Sequence, residues 1–174
     1  AAEPAGTVGI GAGPGNNGGD GLAVARHLAN AGRPVRIHLA VPGYEERSDP
    51  AIHLGVARAM RLPIVSGPPA GQAALWVDGL FGTGLTRAVE GAFRAAIEAM
   101  NGAGAPVLAI DIPSGLDADT GRAHGIAVRA TVTGTLVAPK VGFRRGDGAA
   151  YTGEVRVVDI GVPPGLIERV TAES

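Results

Sequence analysis

The stretch Val8-Gly9-Ile10-Gly11-Ala12-Gly13-Pro14-Gly15-Asn16-Asn17-Gly18-Gly19-Asp20-Gly21-Leu22 decides the fold. Val8 to Gly11 is a short apolar run of strand length, and Gly13 to Gly21 is a glycine-rich turn. From Asp20 to Ala31 the period changes: Leu22, Ala25, Leu28 and Ala29 fall on one helix face, and Gly32 sits where a helix stop belongs. A second apolar run, Val35 to Leu39, follows. The result is a strand, helix, strand unit, the element from which parallel sheets are built.

The alternation continues outward. Further strands are predicted at Leu75 to Asp78, Val107 to Ile112, Thr131 to Val137 and Glu154 to Ile160, six in all with the first two. Asp49 and Pro50 read as the N-cap and first-turn proline of a helix that gathers Ile52, Val56, Ala59 and Met60 before Pro63. A third helix, Glu90 to Asn101, carries Phe93, Ala96, Ile97 and Met100 on one face, and Gly102 to Pro106 reads as the turn into the next strand. Beyond Pro163 the chain reads as a tail. No repeat, linker or charge run divides it, so residues 1–174 are expected to form a single α/β domain with helices on both faces of a mostly parallel sheet.

Composition narrows the function. Fifteen Lys and Arg against 16 Asp and Glu leave a net charge of -1, without the basic field that nucleic-acid binding needs. Aromatic residues make up 3%, too few for base stacking. The absence of cysteine excludes a disulfide scaffold, a thiol nucleophile, a zinc ribbon and an iron-sulfur cluster. No run of about 18 apolar residues spans a membrane, and Ala1 to Gly6 lack the features of a secretory signal, so a soluble, cytoplasmic protein is expected. The 29 glycines accompany a hydrophobic fraction of 45%, which places them in folded structure rather than in a disordered tract.

Ligands of open parallel sheets bind outside the carboxyl ends of the strands. Three segments lie there. In Gly13 to Gly21, backbone amides at a helix N-terminus form a concavity suited to a phosphate. The match to G-x-G-x-x-G at Gly13, Gly15 and Gly18 is weak alone, no acidic residue lies about 20 positions on, and no Lys-Ser/Thr pair closes a P-loop. Asn16, Asn17 and Asp20 exceed what a turn requires; their plainer roles are a helix cap for Asp20 and left-handed backbone for the asparagines. The second segment, Asp78-Gly79-Leu80-Phe81-Gly82-Thr83-Gly84-Leu85-Thr86, starts with a carboxylate at a strand end and fits either a binding loop or a plain turn.

The third segment, Ala109 to Gly121, places Asp111 inside an apolar strand run. A carboxylate there needs a partner and is the best candidate for proton transfer; its plainer role is to bond amides of the next turn. Ser114 lacks a Gly-x-Ser-x-Gly elbow, and Asp117 and Asp119 read as ordering a turn. Together the three loops offer an all-oxygen site suited to a hard cation. His27, His38, His53 and His124 show no two-ligand spacing and read as surface or packing residues. Lys140, in Ala138-Pro139-Lys140-Val141-Gly142, could face an anion, although its plainer role is that of a solvated lysine.

The ordered series Gly13-Pro14-Gly15-Asn16-Asn17-Gly18-Gly19-Asp20-Gly21, Asp78 with Phe81-Gly82-Thr83-Gly84, Asp111-Ile112-Pro113-Ser114-Gly115-Leu116-Asp117 and Ala138-Pro139-Lys140 strongly resembles the NAD(P)H-hydrate epimerase family, the YjeF N-terminal domain, over about residues 7 to 163. The resemblance implies a Rossmann-like three-layer α/β sandwich. It also implies interconversion of the R and S epimers of hydrated NADH and NADPH (NADHX and NADPHX), at the hydroxylated carbon of the reduced nicotinamide ring.

By matching motif, it implies substrate contacts at Asn16, Asn17, Gly18, Gly19, Asp20, Gly82, Thr83, Gly84, Leu85, Thr86, Arg87, Ala88 and Asp111, with Asp111 as the acid/base. A potassium ion is implied at Asn17, Asp78 and Ser114. As partners it implies a separate or fused NAD(P)HX dehydratase and, for the full-length protein, a second copy in a homodimer; nucleic acid and membranes are not expected. Family members carry about two helices ahead of the first strand, which this chain is expected to lack. A rival from another class is a non-catalytic nucleotide- or protein-binding module on the same fold, which would have no need of the oxygen-rich set Asn17, Asp20, Asp78 and Asp111.

Overall fold

Val8–Ala12 forms β1, and the helix that follows it, α1 (Asn16–Asn30), leads to β2 (Val35–Leu39), paired parallel to β1 in the register Val8 to Val35. The computed structural model describes residues 6–163, 165 and 166. After β2 come α2 (Asp49–Ala59), β3 (Ile64–Ser66), β4 (Leu75–Gly79), α3 (Gly91–Gly102), β5 (Val107–Ile110) and β6 (Val132–Leu136). A 3-10 turn (Val141–Arg144), the short α4 (Gly148–Thr152) and β7 (Glu154–Val158) complete the order. The seven strands form one sheet in the order β3-β2-β1-β4-β5-β6-β7, every pairing parallel. The α/β reading therefore holds, with a Rossmann-like sheet flanked by helices.

The chain runs from β1 outward to β3, then returns to place β4 on the other side of β1 and continues to β7. The order thus reverses between β1 and β4, which puts the ligand crevice outside their carboxyl ends. Helices α1 and α2 bury Leu22, Ala25 and Leu54 with Ile10, Ile37 and Val77 on one face of the sheet. Helix α3 buries Ile97 and Met100 with Trp76 and Val107 on the other; each buried aliphatic side chain of this size contributes about 1.5–3 kcal/mol. Two strand glycines make this second layer possible. A Cβ on Gly9 would fall 2.3 Å from the Trp76 ring and one on Gly11 2.1 Å from Met100, so the tryptophan and methionine occupy what would be side-chain space on β1.

Helix α1 ends where expected, in a Schellman pattern: Gly32, at φ 74°, donates to Ala29 O and Arg33 donates to Leu28 O. Three features differ from the sequence reading. The α2 cap is Ser48, whose hydroxyl accepts from Ala51 N at 3.3 Å, and Asp49 stands inside the first turn. That helix buries Pro50, Leu54 and Ala57, while Ile52 is 56% exposed: both of its faces carry apolar residues, and contact with α1 selects between them. Strand β3 was not expected, because three residues at a sheet edge carry no periodicity of their own. The tail expected beyond Pro163 lies outside the described residues apart from 165 and 166. No helix among the described residues is long and apolar enough to cross a membrane.

His38, on β2, is buried edge-on against Trp76, with ring centroids 5.4 Å apart, and neither ring nitrogen has a partner in hydrogen-bond geometry among the described residues. Burial, and then the Arg36 charge, lower its pKa below 6.5, with a weaker opposing pull from the Pro68 main chain. Below that pH the unfolded chain takes up a proton that the folded state refuses, so this contribution to stability is present above about 6.5 and is lost as pH falls toward the depressed folded value. Replacing His38 by Leu is expected to flatten the pH dependence of unfolding free energy between pH 7.5 and 5 relative to the wild type, measured by urea titration; an unchanged slope would exclude His38 as its source.

Candidate active site

The crevice is built from glycines outward. Gly13 leaves β1 and donates to Gly79 O at 3.0 Å, and a Cβ on it would lie 2.0 Å from Leu80 O. A Cβ on Gly18 would lie 1.8 Å from Gly13 O. The turn is therefore pressed between the exit of β4 and the first turn of α1, with room for backbone only. That helix begins at Asn16, four residues before the expected start, with Gly15 as an N-cap in extended conformation and no side chain capping it. Its first N–H groups lack intrahelical partners, and with the helix dipole they favour an anion. Asp20 thus stands inside α1 and is no cap, and neither asparagine adopts left-handed backbone.

Beneath the turn lies Asp78 of β4, fully buried. Its Oδ2 accepts from Ser114 N at 2.8 Å, and its Oδ1 from Ser114 Oγ at 2.6 Å and Leu80 N at 3.2 Å. Ser114 Oγ in turn accepts from Phe81 N at 2.8 Å, and Phe81 O accepts from Asn17 Nδ2 at 2.7 Å. Asn17, Asp78 and Ser114, which come from α1, β4 and the loop after β5, are brought together in this network. Burial pushes the Asp78 carboxyl up to about 6, against the opposing pull of its bonds to Ser114 and Leu80. No basic side chain pairs with it among the described residues. Nor do those residues hold a cluster of three or more His, Asp or Glu placed for a metal. One buried carboxylate without a counter-charge, amid neutral hydroxyl, amide and carbonyl oxygens, is a donor set that fits a monovalent hard cation.

Above this floor opens a cleft of about 580 Å³, within the range of small-molecule sites. Asn16, Asn17 and Asp20 line one wall and Gly82, Thr83, Gly84, Leu85, Thr86 and Arg87 another, with Asp111 at the end of β5. Gly18 and Gly19 are buried behind the wall, and Ala88 lines an adjoining depression. Ser114 is fully buried and cannot serve as a nucleophile. Partial burial raises the pKa of Asp20, His53 lowers it and the Asp111 charge adds to the rise.

Asp111 departs from its expected setting. The strand ends at Ile110, and Asp111 is the first residue beyond it, at φ 65° with its side chain 17% exposed. Its Oδ1 pairs with Lys140 Nζ at 2.5 Å and accepts from Leu136 N at 3.0 Å, so its partners lie on β6 and the loop beyond it, and not in the next turn. Lys140 is accordingly no solvated lysine. Sequence reasoning allowed Lys140 to face an anion but named no partner for it, since positions 111 and 140 lie far apart in the chain; it missed the Phe81 carbonyl and Leu136 N, main-chain groups without a side-chain signature. Asp117 does order its turn, its Oδ1 accepting from Asp119 N at 3.1 Å and Thr120 N at 2.7 Å.

A family model described as "YjeF-related protein N-terminus" matches residues 2–142. The chain belongs to the YjeF-related N-terminal family. Among its relatives, an NAD(P)H-hydrate epimerase of Pirellula staleyi is 42% identical over 99% of this chain and 80% of its own length. An NAD(P)H-hydrate epimerase of Rhodopirellula baltica is 41% identical over 95% and 70%. A protein of Salinibacter ruber named "Bifunctional NAD(P)H-hydrate repair enzyme Nnr" is 44% identical over 90% of this chain, which spans only 32% of that protein. The crystal structure of yeast ynu0, YNL200c, shares the family fold with a TM-score of 0.78 over 96% of this chain and 72% of that one, at 23% identity.

Among the described glycines Gly18 makes the tightest approach, its Cβ position lying 1.8 Å from Gly13 O. Gly18→Ala is expected to cost about 3 kcal/mol in urea unfolding, because the new methyl meets a main-chain carbonyl. Gly84→Ala, with nothing within 4 Å of its Cβ, is expected to change stability by no more than about 1 kcal/mol. Equal effects would show that close approach does not set the Gly18 position.

Proposed function

We propose that this chain interconverts the R and S epimers of hydrated NADH and NADPH. The observation that carries the reading is 42% identity to an NAD(P)H-hydrate epimerase across 99% of the chain. The geometry supplies a chemical rationale. The stereocentre bears a hydroxyl and a ring nitrogen, and inverting it requires one of those bonds, C–O or C–N, to break and re-form on the opposite face, with a proton given to the departing group and taken back on return, so that composition is unchanged. Asp111, at the rim of the cleft with Oδ1 engaged and Oδ2 free of protein partners among the described residues, is the acid/base of this reading. The uncapped N-terminus of α1 and the Gly82 to Ala88 loop bind the nucleotide, the helix end favouring its phosphates. Asn16 to Asp20 complete the substrate contacts.

Asn17, Asp78 and Ser114 would hold a potassium ion, which would supply the positive charge that the buried Asp78 carboxylate lacks. The support is the donor set itself. A dehydratase acting on the S epimer is the expected partner, and relatives that are named bifunctional give the fused arrangement its support. A homodimer and a cytoplasmic setting belong to the same reading.

Two measurements test it. R-to-S conversion of NADH hydrate, followed through an S-specific dehydratase, should exceed the spontaneous rate, and Asp111→Asn should lower kcat by about 10²–10⁴-fold with KM little changed; undiminished turnover in the variant would remove Asp111 from the chemistry. Exchanging potassium chloride for choline chloride at equal ionic strength should lower both turnover and the thermal midpoint, since an ion bound only by the folded state stabilises it. A midpoint and a rate that ignore the exchange would remove the ion.

A further inference from the structure

We propose that Lys140 is a positioning residue for Asp111: it pins one carboxylate oxygen so that the other is the only one presented to the cleft. The contacts divide cleanly between the two oxygens. Asp111 Oδ1 pairs with Lys140 Nζ at 2.5 Å, accepts from Leu136 N at 3.0 Å and lies 3.4 Å from Thr135 Oγ1, whereas Oδ2 has no protein partner among the described residues.

An ammonium has three N–H donors. Lys140 directs one to Asp111, one to Leu136 O at 3.0 Å and one to Ala138 O at 3.3 Å. None remains for a substrate phosphate, and Lys140 lines a separate depression beside Arg144 and not the cleft itself. Its role runs through Asp111.

The backbone supports the same division. Asp111 and Val137 both have positive φ, 65° and 67°, a conformation rare for any side chain and rarest for a β-branched one. Val137 sits between the two carbonyls that Lys140 clasps. One side chain thereby ties the exit of β6 in its unusual conformation to the exit of β5. Strained backbone at a fixed functional group is how a rigid scaffold pre-organises an acid or base.

The kinetic test rests on the epimerase reading, and its arms keep the two apart. In the full chain, Lys140→Met should lower kcat by about 10²-fold while KM moves less than about threefold, and Lys140→Arg should fall between. In the Asp111→Asn background Lys140→Met should cost nothing further, because its effect passes through the carboxylate. A loss that is additive in the double variant, a change in KM alone, or full activity in Lys140→Met would each overturn the proposal. Should Lys140→Met fail to fold, Lys140→Arg carries the same cycle. Absence of any acceleration by the wild type would instead sink the epimerase reading. The contact itself would still be tested by 15N NMR: the Lys140 Nζ signal should exchange slowly with water in the wild type and shift in Asp111→Asn, and a fast-exchanging signal would overturn the pairing.

Discussion

A carboxylate removed from water needs either a proton, a counter-charge or a full set of donors, and Asp78 at the end of β4 imposes that requirement on everything around it. Its bonds to Ser114 and Leu80, continued through Phe81 to Asn17, tie the exits of β4 and β5 to the first turn of α1. The three loops that form the cleft are therefore fixed from below, by one network, and not merely by covering one another. Removing any member would leave a buried polar group without its partner, a cost of about 1–3 kcal/mol for a neutral group and more for a charged one.

Backbone proximity is the second half of the arrangement. A glycine turn that admits no Cβ at Gly13 or Gly18 lets α1 descend onto β1 and β4, and Gly79, whose Cβ would lie 2.9 Å from Asn17 O, lets it descend further. The open N-terminus of that helix then stands at the point where the sheet order reverses. The polar network and the close packing are mutually dependent: Asn17 reaches Phe81 only because the turn ahead of it occupies so little space.

What could be read in the sequence follows from what is local. The change from strand to helix period between Val8 and Gly32 is a local pattern, and it led to the correct unit and fold class. The start of α1 was displaced because Asn and Gly have low helix propensity, and tertiary contact overrides that preference. The buried face of α2 was misjudged because Ile52 and Leu54 are equally apolar, and only the neighbouring helix distinguishes them. At the site, residue types at strand ends pointed to one oxygen-rich cluster of Asn17, Asp78, Asp111 and Ser114; one network does join Asn17, Asp78 and Ser114, while Asp111 stands outside it and pairs with Lys140. Lys140 could be read as facing an anion, but which one was not legible, since its carboxylate lies at the end of the neighbouring strand and no spacing rule connects positions 111 and 140.

On the epimerase reading, pinning Oδ1 of Asp111 also holds its free Oδ2 in place, which bears on which molecule moves during inversion. The two epimers present their hydroxyl groups on opposite sides of the nicotinamide ring, while an oxygen anchored to a sheet approaches from a single direction. On that reading, one stationary oxygen serves both stereoisomers if the ring, or the carbon released from it, turns past it. The freedom for that turn would then lie in the substrate and not in the carboxylate.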